Sequence, residues 1–201
     1  MAIQEIQKVD LASFCYLNNE RYPFLLESVN HNENNRYSIL FAFPKESIVL
    51  RDLSDFDFLN ELENRCEQKS HDFKFPFMGG WFVYLSYELI GQIEPSLASK
   101  LHKSNIPIAY AVKIPSAVIT DHKLEKTFIV DEDGDETRIN QILSDVKALE
   151  NIPDETIDGE ISEENEKKFT DGVKSSLDYI VAGDVFQVNL SRKWSYSLNL
   201  K

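Results

Sequence analysis

The residues able to do chemistry fall short of any recognisable catalytic set. His31, His71, His102 and His122 stand in loop-like or strand-end stretches, with no GxSxG, HExxH or Cys–His spacing around them, so all four are expected as solvated surface side chains. Cys15 and Cys66 are far apart, with no CxxC and no histidine at ligand spacing. That pattern predicts two reduced thiols rather than a zinc site or a disulfide framework. Asp131, Glu132, Asp133, Asp135 and Glu136 crowd around Gly134, but not at the spacing of a calcium loop, and are expected as a solvated turn. Gly79–Gly80 precedes Trp81 and not the Gly-Lys-Ser/Thr of a phosphate cradle, so it too is expected as a turn.

The elements that would position a site are clearer. Tyr22–Val29 and Arg36–Phe43 are β-like runs flanking an Asn-rich turn, and the second alternates Tyr37, Ile39, Phe41 and Phe43 before Pro44 ends it, which predicts a hairpin. Phe58, Leu59, Leu62 and Cys66 recur at helical spacing after Ser54. Residues 108–131 supply at least three short strands, the last two joined at 121–123. Glu136–Leu149 then carries a helical stripe of Ile139, Ile142, Leu143 and Val146. Residues 151–161 lose periodicity and are expected as a linker. Beyond it, Ser162 is expected to cap a helix bearing Phe169, Val173, Leu177, Ile180 and Val181, which Gly183 ends. Asp184–Leu198 then alternates apolar and polar residues as one long strand. A helix and a strand with apolar faces and no partners left imply a domain that continues past Lys201.

Composition bounds the class. Of 201 residues, 42% are hydrophobic, with 13 Phe and 8 Tyr among them, which fits a folded, β-rich globular protein and not a disordered one. A net charge of −13 disfavours nucleic acid and anionic membranes as partners. The N-terminus has no signal-peptide core, and no apolar run approaches the roughly 18 residues that span a bilayer, so the cytoplasm is the expected compartment. The fold expected is α+β: an antiparallel β-sheet sandwich with flanking helices over residues 1–150, a linker at 151–161, and a first helix and strand of a second domain at 162–201.

Three stretches in order go beyond pattern: YPFLLES followed by RYSILFAFP, then GGWFVYLSYELIGQIEP, then AGDVFQVNLSRKW. Together they resemble the signature phrases of component I of aminodeoxychorismate synthase, a chorismate-utilising enzyme close to the large subunit of anthranilate synthase. The resemblance runs from about Arg21 to Trp194. It implies that residues 1–150 are the amino-terminal domain of component I and that AGDVFQVNLSRKW enters its catalytic domain. The later segments that hold magnesium, the acid–base residues and chorismate have no match here. The chain is therefore expected to be inactive alone, with no catalytic residue, metal ligand or cofactor of its own. The complete enzyme would use Mg2+ and a glutamine amidotransferase subunit to convert chorismate to 4-amino-4-deoxychorismate for para-aminobenzoate and folate synthesis. Anthranilate synthase component I, or a non-catalytic ligand-binding module, are the alternatives.

The same resemblance implies a tryptophan pocket at the Leu-Leu-Glu-Ser phrase, with Leu26, Glu27, Ser28 and Arg36 as its residues. The side chains suit that ligand: leucines can pack an indole, Glu27 and Ser28 can meet an ammonium group, and Arg36 can reach a carboxylate across the hairpin.

Overall fold

Alternating apolar residues in the first three-quarters of the chain build two antiparallel sheets. The computed structural model describes residues 1–28, 35–66, 74–100, 105–149 and 159–198, and the chain divides into two units, Met1–Ile152 and Pro153–Lys201. The first unit begins with β1 (Ala2–Ile6), α1 (Ala12–Leu17), β2 (Phe24–Leu26), β3 (Tyr37–Ala42), β4 (Ser47–Leu50) and α2 (Phe58–Arg65). It continues with β5 (Gly80–Leu85), the short α3 (Ile90–Ile93), β6 (Ala109–Ile114), β7 (Ser116–Asp121), β8 (Lys126–Asp131) and α4 (Glu136–Leu149). One sheet has the order β1-β8-β7-β3-β2 and the other β4-β6-β5.

A period of two decides which side chains meet. Leu40 and Ala42 of β3, Val118 of β7 and Ile129 of β8 point to one face, which Leu11, Phe14 of α1, and Ile142 and Val146 of α4 cover. On the opposite face Phe41 packs with Val112 and Ile114 of β6, and the Phe24 and Phe82 rings stack with centroids 4.1 Å apart. The two sheets thus form a sandwich with flanking helices. The outer face of the smaller sheet, Ile48, Leu50, Ala109 and Ala111, is closed by Phe58 of α2. Fully burying one such side chain stabilises the fold by about 1.5–3 kcal/mol. Helix α2 starts at Phe58, the first residue of the expected stripe, and Asp57 caps it, its side chain accepting from the Asn60 N–H at 3.1 Å.

The expected pairing of the two strands is present, with Phe24 opposite Phe41 and Leu26 opposite Ile39, although both strands are shorter than their apolar runs; of the turn expected at 30–35, residues 30–34 lie outside the described residues.

The second unit holds β9 (Gly159–Glu163), α5 (Glu166–Ala182) and β10 (Trp194–Leu198). Three expectations are corrected here. Residues 159–161 are not linker but the start of β9, which pairs antiparallel with β10, while 150–158 lie outside the described residues. The long strand expected at Asp184–Leu198 is confined to Trp194–Leu198, the stretch that meets a partner. Residues 185–192 have no ladder partner among the described residues, so extended backbone there would leave its N–H and C=O groups unpaired by protein. Ser162 lies within β9, and the cap of α5 is Asn165, whose side chain accepts from the Lys167 N–H at 2.8 Å. Gly183 closes α5 at φ 80°, a left-handed end that a side chain would strain.

Candidate functional site

The helix-facing side of the larger sheet turns polar at one end. Leu25 packs on that side, and Glu27, two residues on, follows it to the same face. A cavity of about 340 Å³ opens there. Ser38 of β3 and Thr120 of β7 form its floor, the segment Lys8–Leu11 before α1 forms one wall, and Glu27 and His122 complete it. Ser38 and Thr120 are buried, and their hydroxyls are engaged: Thr120 Oγ1 lies 3.1 Å from Thr127 Oγ1, and Ser38 Oγ accepts from the Ser28 N–H at 3.0 Å.

Of the four residues assigned to a pocket from the sequence, only Glu27 lines this cavity. Leu26 lies on the alternate side of its strand and is 53% exposed. Ser28 donates its hydroxyl hydrogen to the Tyr37 carbonyl at 2.7 Å, which ties the two strands together where the pocket begins. Arg36 makes a two-pronged contact with Asp121, Nε to Oδ1 at 2.9 Å and Nη2 to Oδ2 at 2.5 Å. Those bonds, outweighing burial, hold the Asp121 carboxyl below its ordinary range.

Lys8, Val9, Asp10, Leu11, Ser38 and Thr120 are cavity residues that the sequence did not single out, and His122 was expected only as a surface side chain. Ser38 was within reach, since it shares the alternation of β3 and faces the end of β2. Lys8 and His122 arrive only through strand pairings between distant parts of the chain. His122 corrects an expectation: it is half-buried, with Nε2 2.8 Å from Ser38 Oγ, because β7 runs antiparallel to β3. His31, His71 and His102 lie outside the described residues.

The acidic run around Gly134 is corrected as well. Asp131 is fully buried and accepts from Ser116 Oγ at 2.6 Å, Arg138 Nε at 2.7 Å and Nη2 at 2.9 Å, and the backbone N–H groups of Asp133 and Asp135. It is a structural anchor at the junction of β8 and α4. Cys15 and Cys66 are both unpaired thiols, and burial pushes the Cys15 thiol up from its ordinary pKa, away from reactivity. Among the described residues no group of three or more His, Cys, Asp or Glu side chains is arranged to hold a metal ion. No helix of the described residues is long and apolar enough to cross a membrane.

Residues 21–201 match the family model described as chorismate binding enzyme. The chain belongs to the chorismate-binding enzyme family. It is 27% identical over 196 residues to anthranilate synthase component 1 of Thermus thermophilus, covering 88% of this chain and 42% of that protein. It is 26% identical over 145 residues to aminodeoxychorismate synthase component 1 of Bacillus subtilis, covering 66% of this chain and 31% of that protein. The fold is similar to the crystal structure of anthranilate synthase component I from Streptococcus pneumoniae TIGR4, with a TM-score of 0.50 at 20% identity over 90% of this chain and 46% of that one. This member of the chorismate-binding family therefore spans less than half the length of these relatives.

Proposed function

We propose that this chain is the amino-terminal part of an aminodeoxychorismate synthase component I, a cytoplasmic enzyme that with a glutamine amidotransferase subunit and Mg2+ aminates chorismate to 4-amino-4-deoxychorismate. The family match over residues 21–201 carries the chorismate side of this reading. The ordered phrases from YPFLLES to AGDVFQVNLSRKW carry the choice of branch. Anthranilate synthase component I is the second reading, favoured by the name of the Thermus relative. The two differ in product, so the test is product analysis. Expressed from its uninterrupted reading frame and given chorismate, ammonium and magnesium, the enzyme should form 4-amino-4-deoxychorismate, read as para-aminobenzoate once a lyase is added. Accumulation of fluorescent anthranilate instead would place it in the other branch. The 201 residues alone should give neither product, because they span less than half the length of these relatives. Turnover by the purified 201-residue chain would overturn that division of labour.

The amino-terminal unit, in this reading, holds a tryptophan molecule at the end of the hairpin. What supports it is Glu27, a carboxylate at the rim of a cavity of about 340 Å³, within the range of small-ligand sites. Leu26, Glu27, Ser28 and Arg36 take unequal shares. Glu27 meets the ammonium group, Ser28 ties β2 to β3 beside the cavity through the Tyr37 carbonyl and Arg36 holds Asp121 there, while Leu26 lies on the other side of the strand. Glu27→Gln should weaken tryptophan binding by about 1.5–3 kcal/mol, the worth of a hydrogen bond to a charged group, read by calorimetry on the folded variant. Equal affinity of Glu27→Gln and the wild type would remove Glu27 from the site.

A further inference from the structure

The smaller sheet ends on an unguarded edge. Its order β4-β6-β5 leaves one side of β5 without a strand partner among the described residues. An open edge invites pairing with another chain, and proteins blunt it with charged side chains, proline or brevity. The other open edges carry such protection. β1 holds Glu5, which Lys126 meets at 2.9 Å, and β2 is three residues long. β4 is entered through Lys45 and Glu46, β9 holds Glu160 and Glu163, and Arg192 and Lys193 lead into β10. From Gly79 to Tyr87, by contrast, GGWFVYLSY has no charged residue and no proline, and Val83, Tyr84, Leu85 and Tyr87 are exposed.

The ladder decides which backbone groups face outward. Ser86 donates its N–H to the Ile108 carbonyl at 2.9 Å, whereas Lys113, opposite Trp81, turns its N–H to Glu46 and its carbonyl to Lys45, both at 2.9 Å, on the far side of β6. Bonded and non-bonded pairs alternate along an antiparallel ladder. Tyr84 and Phe82 therefore bond to β6, and Trp81, Val83 and Leu85 direct their N–H and C=O groups to the open side. Two copies of a chain with net charge −13 repel one another, so contact is favoured where charge is absent. β5 is such a place, and it is complementary to itself. Run antiparallel about a twofold axis at Val83, it sets Val83 opposite the partner's Val83 and Trp81 opposite the partner's Leu85, and each pair exchanges both N–H···O bonds. The same register opposes Phe82 to the partner's Tyr84 on the sandwich side, a stabilising aromatic pair.

We propose that two copies of this chain pair through β5 in solution, antiparallel about Val83, joining their smaller sheets into one continuous sheet. Sedimentation velocity over a range of concentrations should show the 201-residue chain in a monomer–dimer equilibrium. Val83→Lys sets like charges directly opposite and should weaken the dimer by about tenfold or more. Its circular dichroism and urea midpoint should stay at wild-type values, because the side chain is exposed. Cross-linking reads the register, with the exposed thiol of Cys66 first removed as Cys66→Ser. In that background Val83→Cys should form a disulfide dimer on mild oxidation, since opposed residues of a bonded pair lie about 5.5 Å apart, within disulfide reach. Tyr84→Cys should not, because its copy stands diagonally, about 7–8 Å away. A chain that stays monomeric at every concentration, a dimer that Val83→Lys leaves intact, or equal cross-linking through the two introduced cysteines would overturn the pairing.

Discussion

Arg138→Ala is expected to lower the stability of the first unit by about 3–5 kcal/mol, the cost of removing one partner from a buried ion pair. The guanidinium donates to both oxygens of Asp131 and also lies within 3.2 Å of both Asp133 and Asp135 carboxylates. Without it a fully buried carboxylate keeps only Ser116 and two backbone N–H groups. Against unfolding free energies of 5–15 kcal/mol, a loss of that size consumes much of the margin. Urea denaturation of the variant and the wild type checks it, and a change under 1 kcal/mol would show that Asp131 is held well enough without the arginine. Arg138→Lys should recover only part of the loss, since an ammonium cannot span both carboxylate oxygens.

The same anchor sets a pH dependence. Burial alone would raise the Asp131 pKa, but Arg138, Ser116 and the Asp135 N–H together overcome it and hold the carboxyl well below the usual carboxylate range. A folded-state value below the unfolded one, near 3.9, contributes stability that is complete above about pH 4. It is lost as the pH falls through the acid range beneath. Stability of the wild type should therefore fall more steeply in acid than that of a variant whose Asp131 and Ser116 are both replaced by apolar residues.

Particular residues show why some of this was legible in the sequence and some was not. Helix α4 at Glu136–Leu149 announced itself through Ile139, Ile142, Leu143 and Val146, because a helix buries one stripe and its period survives in the text. Strands β6 to β8 were equally plain, since short apolar runs between turns have few other uses. The buried role of Asp131 was hidden because a carboxylate in an acidic run is normally solvated. Here antiparallel pairing sets it opposite Ser116, and the first turns of α4 swing Arg138 over it. The cavity was hidden for a related reason. Glu27 was found through its phrase, but Lys8 and His122 are placed by β1 pairing with β8 and β7 pairing with β3, and no local pattern encodes such register. The strand expected at Asp184–Leu198 failed in the opposite way. Its alternation is genuine, but alternation states only which face would be buried, and regular strand needs a partner, which β9 supplies to five residues alone.

Asp145 is where the second large effect is expected. It sits on α4, 7% exposed, and accepts from Tyr22 Oη at 2.6 Å, Arg21 Nη1 at 2.6 Å and Gln141 Nε2 at 3.0 Å. Tyr22 is itself fully buried with its ring edge-on to Phe14, and burial, then Asp145, keep its hydroxyl protonated by raising its pKa. Asp145→Ala should cost about 3–5 kcal/mol, because it strands a buried hydroxyl and a half-buried guanidinium at once. Tyr22→Phe should cost only about 0.5–1.5 kcal/mol, since the carboxylate keeps its other two donors. If the three side chains act as one network, the double variant Tyr22→Phe with Asp145→Ala should be more stable than the sum of the single losses predicts. The expected difference is about 0.5–3 kcal/mol, since the phenyl ring leaves no hydroxyl unsatisfied. Strict additivity would mean that Tyr22 and Asp145 stabilise the fold independently and that the 2.6 Å contact carries no energy. The outcome bears on the cavity too. Arg21 and Tyr22 stand directly before β2, so their grip on α4 fixes the strand that delivers Glu27. Asp145→Ala should therefore weaken tryptophan binding even in the fraction that remains folded, whereas Tyr22→Phe should leave it near the wild-type value.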